Sequence, residues 1–149
     1  MGEQVNKLIL ALVSAATALL ISAGPAAAEP NPANLEFTQS KPYKEYQNNV
    51  ARFTGQMDYG TGTLAWSLKL TASTQNVVYG SMSCRTTING ISGYSDSHPD
   101  IPRDYLLHSS VRIDRGRWYG LRSRCDFKVL TDTGMQPGNV ETFVDFIAR

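Results

Sequence analysis

The segment TLAWSLKLTA, residues 63–72, alternates apolar and polar side chains almost without a break. Its even-numbered positions carry Leu64, Trp66, Leu68 and Leu70, whereas most of its odd-numbered positions are polar. Successive side chains of a β-strand point to opposite faces, so a period of two predicts a strand with one buried face and one exposed face. We use the same criterion for the rest of the chain.

Two further segments, residues 78–88 and 121–129, show this alternation, and each contains one of the two cysteines. Cys84 and Cys125 both fall in the apolar register of their segments. The pattern therefore predicts that both sulfurs point inward and form a disulfide that crosses the core. A catalytic thiol or a metal-binding pair would need close second ligands, and the sequence places none beside either cysteine.

Shorter strands are predicted at residues 35–39, 50–58, 105–113 and 140–147, with glycine, asparagine and proline in the turns between them. About seven strands at this spacing favour an all-β fold, either an antiparallel β-sandwich or a small barrel. Residues 91–103 are the least periodic stretch and are predicted to form a long loop.

The start of the chain has the pattern of a cleavable secretory signal. Lys7 lies in a short polar segment, an uncharged apolar run follows at residues 8–21, and Ala26-Ala27-Ala28 comes after it. The apolar run is shorter than the roughly 20 residues of a membrane span, and small residues behind it suit signal peptidase. We expect cleavage after Ala28 and a secreted protein, extracellular or periplasmic, with no transmembrane segment in the mature chain.

Composition fits one small globular domain with no global charge bias. The 149 residues are 42% hydrophobic and 18% charged, and the formal net charge is +1. This balance gives no general argument for binding to nucleic acid or membrane, and no specific nucleic-acid or cofactor motif is present. The predicted organisation is a signal peptide at residues 1–28, a loose start of the mature chain at 29–34, and a single β domain at 35–149.

A predicted hairpin through Arg115-Gly116-Arg117 defines a candidate binding surface. If residues 105–113 pair with the strand that follows, an odd-numbered loop places both apolar sets on the core side. The outer face would then collect cations around an indole and would bind an extracellular protein or an acidic polymer. The alternative is a solvated face whose indole a bulge turns inward. The candidate binding residues are His108, Arg112, Trp118, Arg122, Arg124 and Lys128.

The functional hypothesis is a secreted, non-enzymatic binding protein: an inhibitor of an extracellular enzyme, or a module that binds protein or polysaccharide. The alternative is a small secreted hydrolase, such as a nuclease, with His98 and His108 as acid and base. Asp96, His98 and Asp100 have side chains that could bind a metal, but their spacing matches no defined metal-binding loop, so we expect no cofactor.

Overall fold

The computed structural model describes residues 33–149, so the predicted signal peptide and its cleavage site lie outside the described residues. Within this range the chain forms nine strands and one short helix. Their bounds are β1 Ala33–Phe37, β2 Tyr43–Gln47, β3 Ala51–Asp58, β4 Thr63–Leu70, α1 Ala72–Val77, β5 Tyr79–Asn89, β6 Ser95–Pro102, β7 Leu107–Arg112, β8 Trp118–Thr131 and β9 Gly134–Ala148.

The strands form two sheets that enclose a common core. The five-stranded sheet has the order β1-β9-β8-β5-β6, and the four-stranded sheet has the order β2-β3-β4-β7. Side chains from both inner faces are fully buried between them, including Phe53 and Leu64 from one sheet and Leu121 and Val144 from the other. The prediction of an all-β fold is thus confirmed, and of its two alternatives the two sheets form the sandwich rather than the barrel. One pairing departs from the antiparallel pattern, since β1 pairs with β9 in parallel.

The strand predicted from residues 63–72 is β4, and its even-numbered side chains are buried as expected. It ends at Leu70, because Thr71 begins a helix that the alternation did not predict. The Thr71 hydroxyl accepts a hydrogen bond from the Thr74 N–H at 3.5 Å, and the Gln75 N–H donates to the Thr71 carbonyl at 2.9 Å. This is the N-cap arrangement that starts helices. In residues 33–149, no helix is sufficiently long and apolar to cross a membrane.

The predicted disulfide is present, but it joins neighbouring strands of one sheet rather than crossing the core. Cys84 in β5 lies directly opposite Cys125 in β8, with their Cα atoms 4.1 Å apart. Such a close approach is typical of the antiparallel pairs that exchange no backbone hydrogen bonds. Both cysteines point inward and are buried, so the bond fixes the register of β5 against β8 from the core side.

The predicted hairpin of β7 with β8 is wrong. β7 pairs with β4, where Val111 lies opposite Leu64, whereas β8 pairs with β5 and β9. The prediction that odd-numbered residues of both strands point inward was correct. The alternation specifies which side of a strand is buried, but not which strand lies next to it. Gly116 has a positive φ of 77°, and its turn connects the two sheets. The Gly116 N–H donates to the Ala148 carbonyl at 2.8 Å.

The predicted loop at residues 91–103 is also wrong, since most of it is strand β6. Its prolines, Pro99 and Pro102, lack an N–H donor, and they are tolerated because β6 is an edge strand with one neighbour. The backbone of Asp100 takes a positive φ of 52°, and its N–H donates to the Ser83 hydroxyl at 3.2 Å. β2 was missed altogether, β1 begins before the predicted start at residue 35, and β9 begins before residue 140.

Removing the disulfide tests its contribution to stability. The bond closes a loop with a sequence separation of 41, and a loop of this size restricts the unfolded chain by about 4 kcal/mol in the chain-entropy treatment. We therefore expect the double variant Cys84→Ala/Cys125→Ala to lose roughly that free energy of unfolding in urea titrations. A loss below about 1 kcal/mol would show that the unfolded chain is not restricted in this way.

The turn between β3 and β4 predicts a specific pH dependence. Asp58 Oδ1 accepts hydrogen bonds from the Gly60 N–H at 2.8 Å and the Thr61 N–H at 3.2 Å, and these bonds lower the pKa of the Asp58 carboxyl. A carboxyl with a lowered pKa stabilises the fold at neutral pH, and the stabilisation is lost as pH falls through that pKa.

We therefore expect Asp58→Asn to lower the melting temperature at pH 7 and to approach the wild type at the acid end of the titration, about pH 2. The control is Asp132→Asn, an exposed carboxylate in the turn between β8 and β9. Calorimetry across this pH range measures both. A deficit for Asp58→Asn that persisted unchanged in acid would contradict the assignment.

Candidate binding face

The structure divides the six predicted binding residues between opposite sides of the molecule. Trp118, Arg122, Arg124 and Lys128 lie on the solvent side of β8, in the five-stranded sheet. The other two, His108 and Arg112, lie on the solvent side of β7, in the four-stranded sheet. The solvent sides of two stacked sheets point away from each other. The single basic surface predicted from the sequence is therefore not formed.

The solvent side of the five-stranded sheet, here called the outer face, gains residues that sequence reasoning did not include. β5 places Arg85 directly opposite Arg124. β9 places Phe143 opposite Arg122 and Glu141 opposite Arg124. The alternation of residues 78–88 already put Arg85 on a solvent side, so its exposure could be predicted. Its position beside β8 could not, because that depends on which strands pair.

These residues line an open hollow in the middle of the outer face. We call it the central hollow, and Ser97, His98 and Pro99 of the edge strand β6 close one side of it. Its principal side chains are Arg85, Arg122, Arg124, Glu141 and Phe143.

The three arginines of the central hollow differ in how far their charge is already neutralised. Arg124 lies 2.9 Å from Asp126 and 3.6 Å from Glu141, and its hydrogen bond to Asp126 raises the pKa of its guanidinium. Arg122 instead lies over Phe143, with its Cζ atom 5.3 Å from the ring centre. Arg85 donates from Nε to the Ser95 hydroxyl at 3.1 Å.

No carboxylate within residues 33–149 forms an ion pair with Arg85 or Arg122. Each guanidinium carries five N–H donors, and the contacts described here use few of them. Arg85 lies opposite Arg124 across the strand pair, and the charge of Arg124 is compensated by Asp126 and Glu141, which leaves Arg85 as the cation without a carboxylate on that side. The central hollow thus presents cationic donors that an anionic group of a ligand can occupy.

Large exposed apolar side chains lie at the two ends of the outer face. Trp118 is at one end and is 46% exposed, so its indole is not turned into the core. At the other end Leu130 lies directly opposite Met135, and Tyr79 lies opposite Lys128. These four are among the six large hydrophobic residues that are exposed within residues 33–149. The outer face therefore combines a charged centre with apolar ends.

Smaller hollows connect the central hollow to both ends. The hollow beside Trp118 shares Arg122 with the central hollow and also contains Asp145. The hollow beside Tyr79 shares Asp126 with it. Ligand-sized depressions thus follow one another along β8 for most of its length, which suits an extended ligand better than a compact one.

The two histidines of the hydrolase alternative are not brought together. His98 lies opposite Cys84 in the β5–β6 pairing, its Nε2 is 3.1 Å from Asp96 Oδ2, and its ring centre is 5.4 Å from that of Tyr105. His108 is exposed on the solvent side of β7 in the other sheet. An acid and a base must reach the same substrate within hydrogen-bond distance, and these two side chains share no hollow described here.

The predicted metal-ligand candidates are engaged in other contacts. Asp96 pairs with His98, and the Asp100 carboxylate accepts a hydrogen bond from the Ser81 hydroxyl. Within the described part of the chain, no three histidine, cysteine, aspartate or glutamate side chains are grouped so that they could hold a metal ion.

Comparisons with protein-family models, curated proteins and solved structures give no match to this chain. The outer face offers three kinds of contact. Unpaired guanidiniums donate to carboxylate, sulfate or phosphate groups, often in pairs of parallel bonds. Carboxylates accept hydrogen bonds from hydroxyls, and exposed aromatic rings provide flat apolar surfaces.

Proposed function

We propose that this chain is an exported binding module and that its partner docks on the outer face of the five-stranded sheet. The observation that carries the proposal is the central hollow, where Arg85 and Arg122 keep hydrogen-bond donors without a carboxylate partner within residues 33–149. Both arginines are exposed, so a ligand can reach these donors, and charge complementarity of this kind directs and orients association.

The scaffold beneath the central hollow supports this proposal. Arg85 follows Cys84 in β5 and Arg124 precedes Cys125 in β8, so the disulfide holds the two strands together directly under the arginines. A rigid site loses less conformational entropy when a ligand binds, which raises the affinity for a given set of contacts. The same reasoning fits an inhibitor of an extracellular enzyme and a module that binds protein or polysaccharide.

The export part of the proposal is supported by two independent features. The leader pattern at residues 1–28 is that of a secretory signal, and the disulfide is of a kind that persists in oxidising compartments. We propose a non-enzymatic role because the acid–base pair that a hydrolase would need, His98 and His108, is split between the two sheets.

Substitutions on the outer face test the proposal. The double variant Trp118→Ala/Arg122→Ala removes an exposed ring and an unpaired cation, so we expect affinity for the partner to fall at least about tenfold. The control Arg112→Ala removes an exposed arginine from the opposite side of the molecule and should leave affinity unchanged. Affinity is measured by biosensor against a panel of neutral and acidic extracellular polysaccharides and extracellular proteins.

Thermal unfolding of the same variants separates binding from stability. We expect little change in melting temperature, because both side chains are exposed. Binding should also weaken as salt is raised, since exposed charges are screened. An equal loss of affinity in Arg112→Ala, or unchanged affinity in the double variant, would place the binding surface elsewhere.

A further inference from the structure

We propose that the partner is an acidic polysaccharide whose sugars carry carboxylates, and that Arg85 and Arg122 together hold one such carboxylate in the central hollow. This inference rests on the proposed function and names the ligand class for the same face.

The two arginines provide the anion site. Arg122 and Thr87 are opposite each other in the β5–β8 pairing, and Arg85 lies two residues before Thr87 on the same side of β5. Both residues therefore line the central hollow, where the bond to Ser95 draws Arg85 toward β6 and the contact with Phe143 draws Arg122 toward β9, so that an anion would bind between them. Neither is neutralised by a carboxylate of residues 33–149. A carboxylate bound between them would accept hydrogen bonds from both guanidiniums.

The acids of the outer face favour a sugar over a nucleic acid. Asp126, Glu141 and Asp145 border the three connected hollows. Carboxylates accept hydrogen bonds from hydroxyls. Every ring of a carboxylated sugar polymer carries hydroxyls beside its carboxylate, whereas the backbone of DNA presents phosphates and no hydroxyl donors. A carboxylated sugar polymer can thus use both kinds of charged side chain. Its carboxylates accept hydrogen bonds from the arginines, and its hydroxyls donate to the acids.

The apolar side chains of the outer face are distributed unlike those of a protein interface. Protein interfaces place apolar residues at the centre and polar residues at the rim. Here the centre holds Arg85, Arg122 and Arg124, and the exposed apolar residues Trp118 and Leu130 lie near the two ends. Trp118 and Leu130 are about 40 Å apart along β8. An extended polymer covers this distance by contacting the ends and the centre with different sugar rings.

Binding of defined polymers tests the inference. The protein expressed from its full chain is titrated calorimetrically with polygalacturonate and with the same polymer after its carboxyl groups have been reduced to alcohols. We expect reduction of the carboxyls to weaken binding at least tenfold. Arg85→Gln and Arg122→Gln should each weaken binding of polygalacturonate about tenfold. The matched control Arg112→Gln, on the opposite side of the molecule, should change it less than twofold.

The outcomes separate this inference from the proposed function. Equal binding of the reduced polymer, or tighter binding of poly-glutamate or oligothymidylate than of polygalacturonate, overturns the inference. If binding of the reduced polymer, poly-glutamate or oligothymidylate is lost in the variant Trp118→Ala/Arg122→Ala, the proposed function stands. Failure to bind polygalacturonate at all also overturns the inference. Binding of any probe that survives Trp118→Ala/Arg122→Ala overturns the proposed function as well. Circular dichroism of each variant confirms that loss of binding is not loss of fold.

Discussion

The pairing of β5 with β8 is the constraint on which the rest of the structure depends. These two strands occupy the interior of the five-stranded sheet, and the bond between Cys84 and Cys125 holds one residue pair in register. A slip of one residue would turn every apolar side chain of β8 outward. With the sulfurs joined on the inner side, the neighbouring residues Arg85 and Arg124 must face solvent opposite each other. The bond that stabilises the core therefore also builds the charged centre of the outer face.

β9 completes this arrangement. It pairs with every residue of β8, from Trp118 opposite Ile147 to Thr131 opposite Gly134. That pairing brings an aromatic ring under Arg122 and an acid beside Arg124, so two arginines of one strand receive different partners. Arg124 is largely satisfied within the protein and acts as a fixed part of the wall. Arg122 and Arg85 have no carboxylate partner within residues 33–149, and the proposed ligand would use these two.

Sequence reasoning was most successful where a pattern is local. Alternation identified β4 and the buried side of β8, and it placed both cysteines on inner faces without any knowledge of the fold. It failed where the answer depends on contacts between distant segments. Nothing in the parity of residues 105–113 distinguishes a hairpin with β8 from a pairing with β4, and this error merged residues from two sides of the molecule into one surface.

Chemical exceptions to simple patterns explain the remaining differences. The prolines of β6 led to the prediction of a loop. They are compatible with a strand here because β6 is an edge strand, where a residue without an N–H donor is tolerated. Thr71, directly after β4, caps the helix α1 through a local hydrogen bond, so the strand ends there. Of the candidate site, the exposure of Arg122 and Arg124 was predictable from the alternation, whereas the sequence left open whether a bulge turns Trp118 inward. The inclusion of Arg85 and Phe143 required the strand order.

The central claim is that Arg85 and Arg122 act on the same group of one ligand, and a double-mutant cycle on binding affinity tests it most directly. The affinity of polygalacturonate is measured for the wild type, Arg85→Gln, Arg122→Gln and the double variant. If both guanidiniums hold one carboxylate, the double variant should bind only slightly more weakly than either single variant, with a coupling of at least about 1 kcal/mol. A loss in the double variant equal to the product of the two single losses would contradict the account.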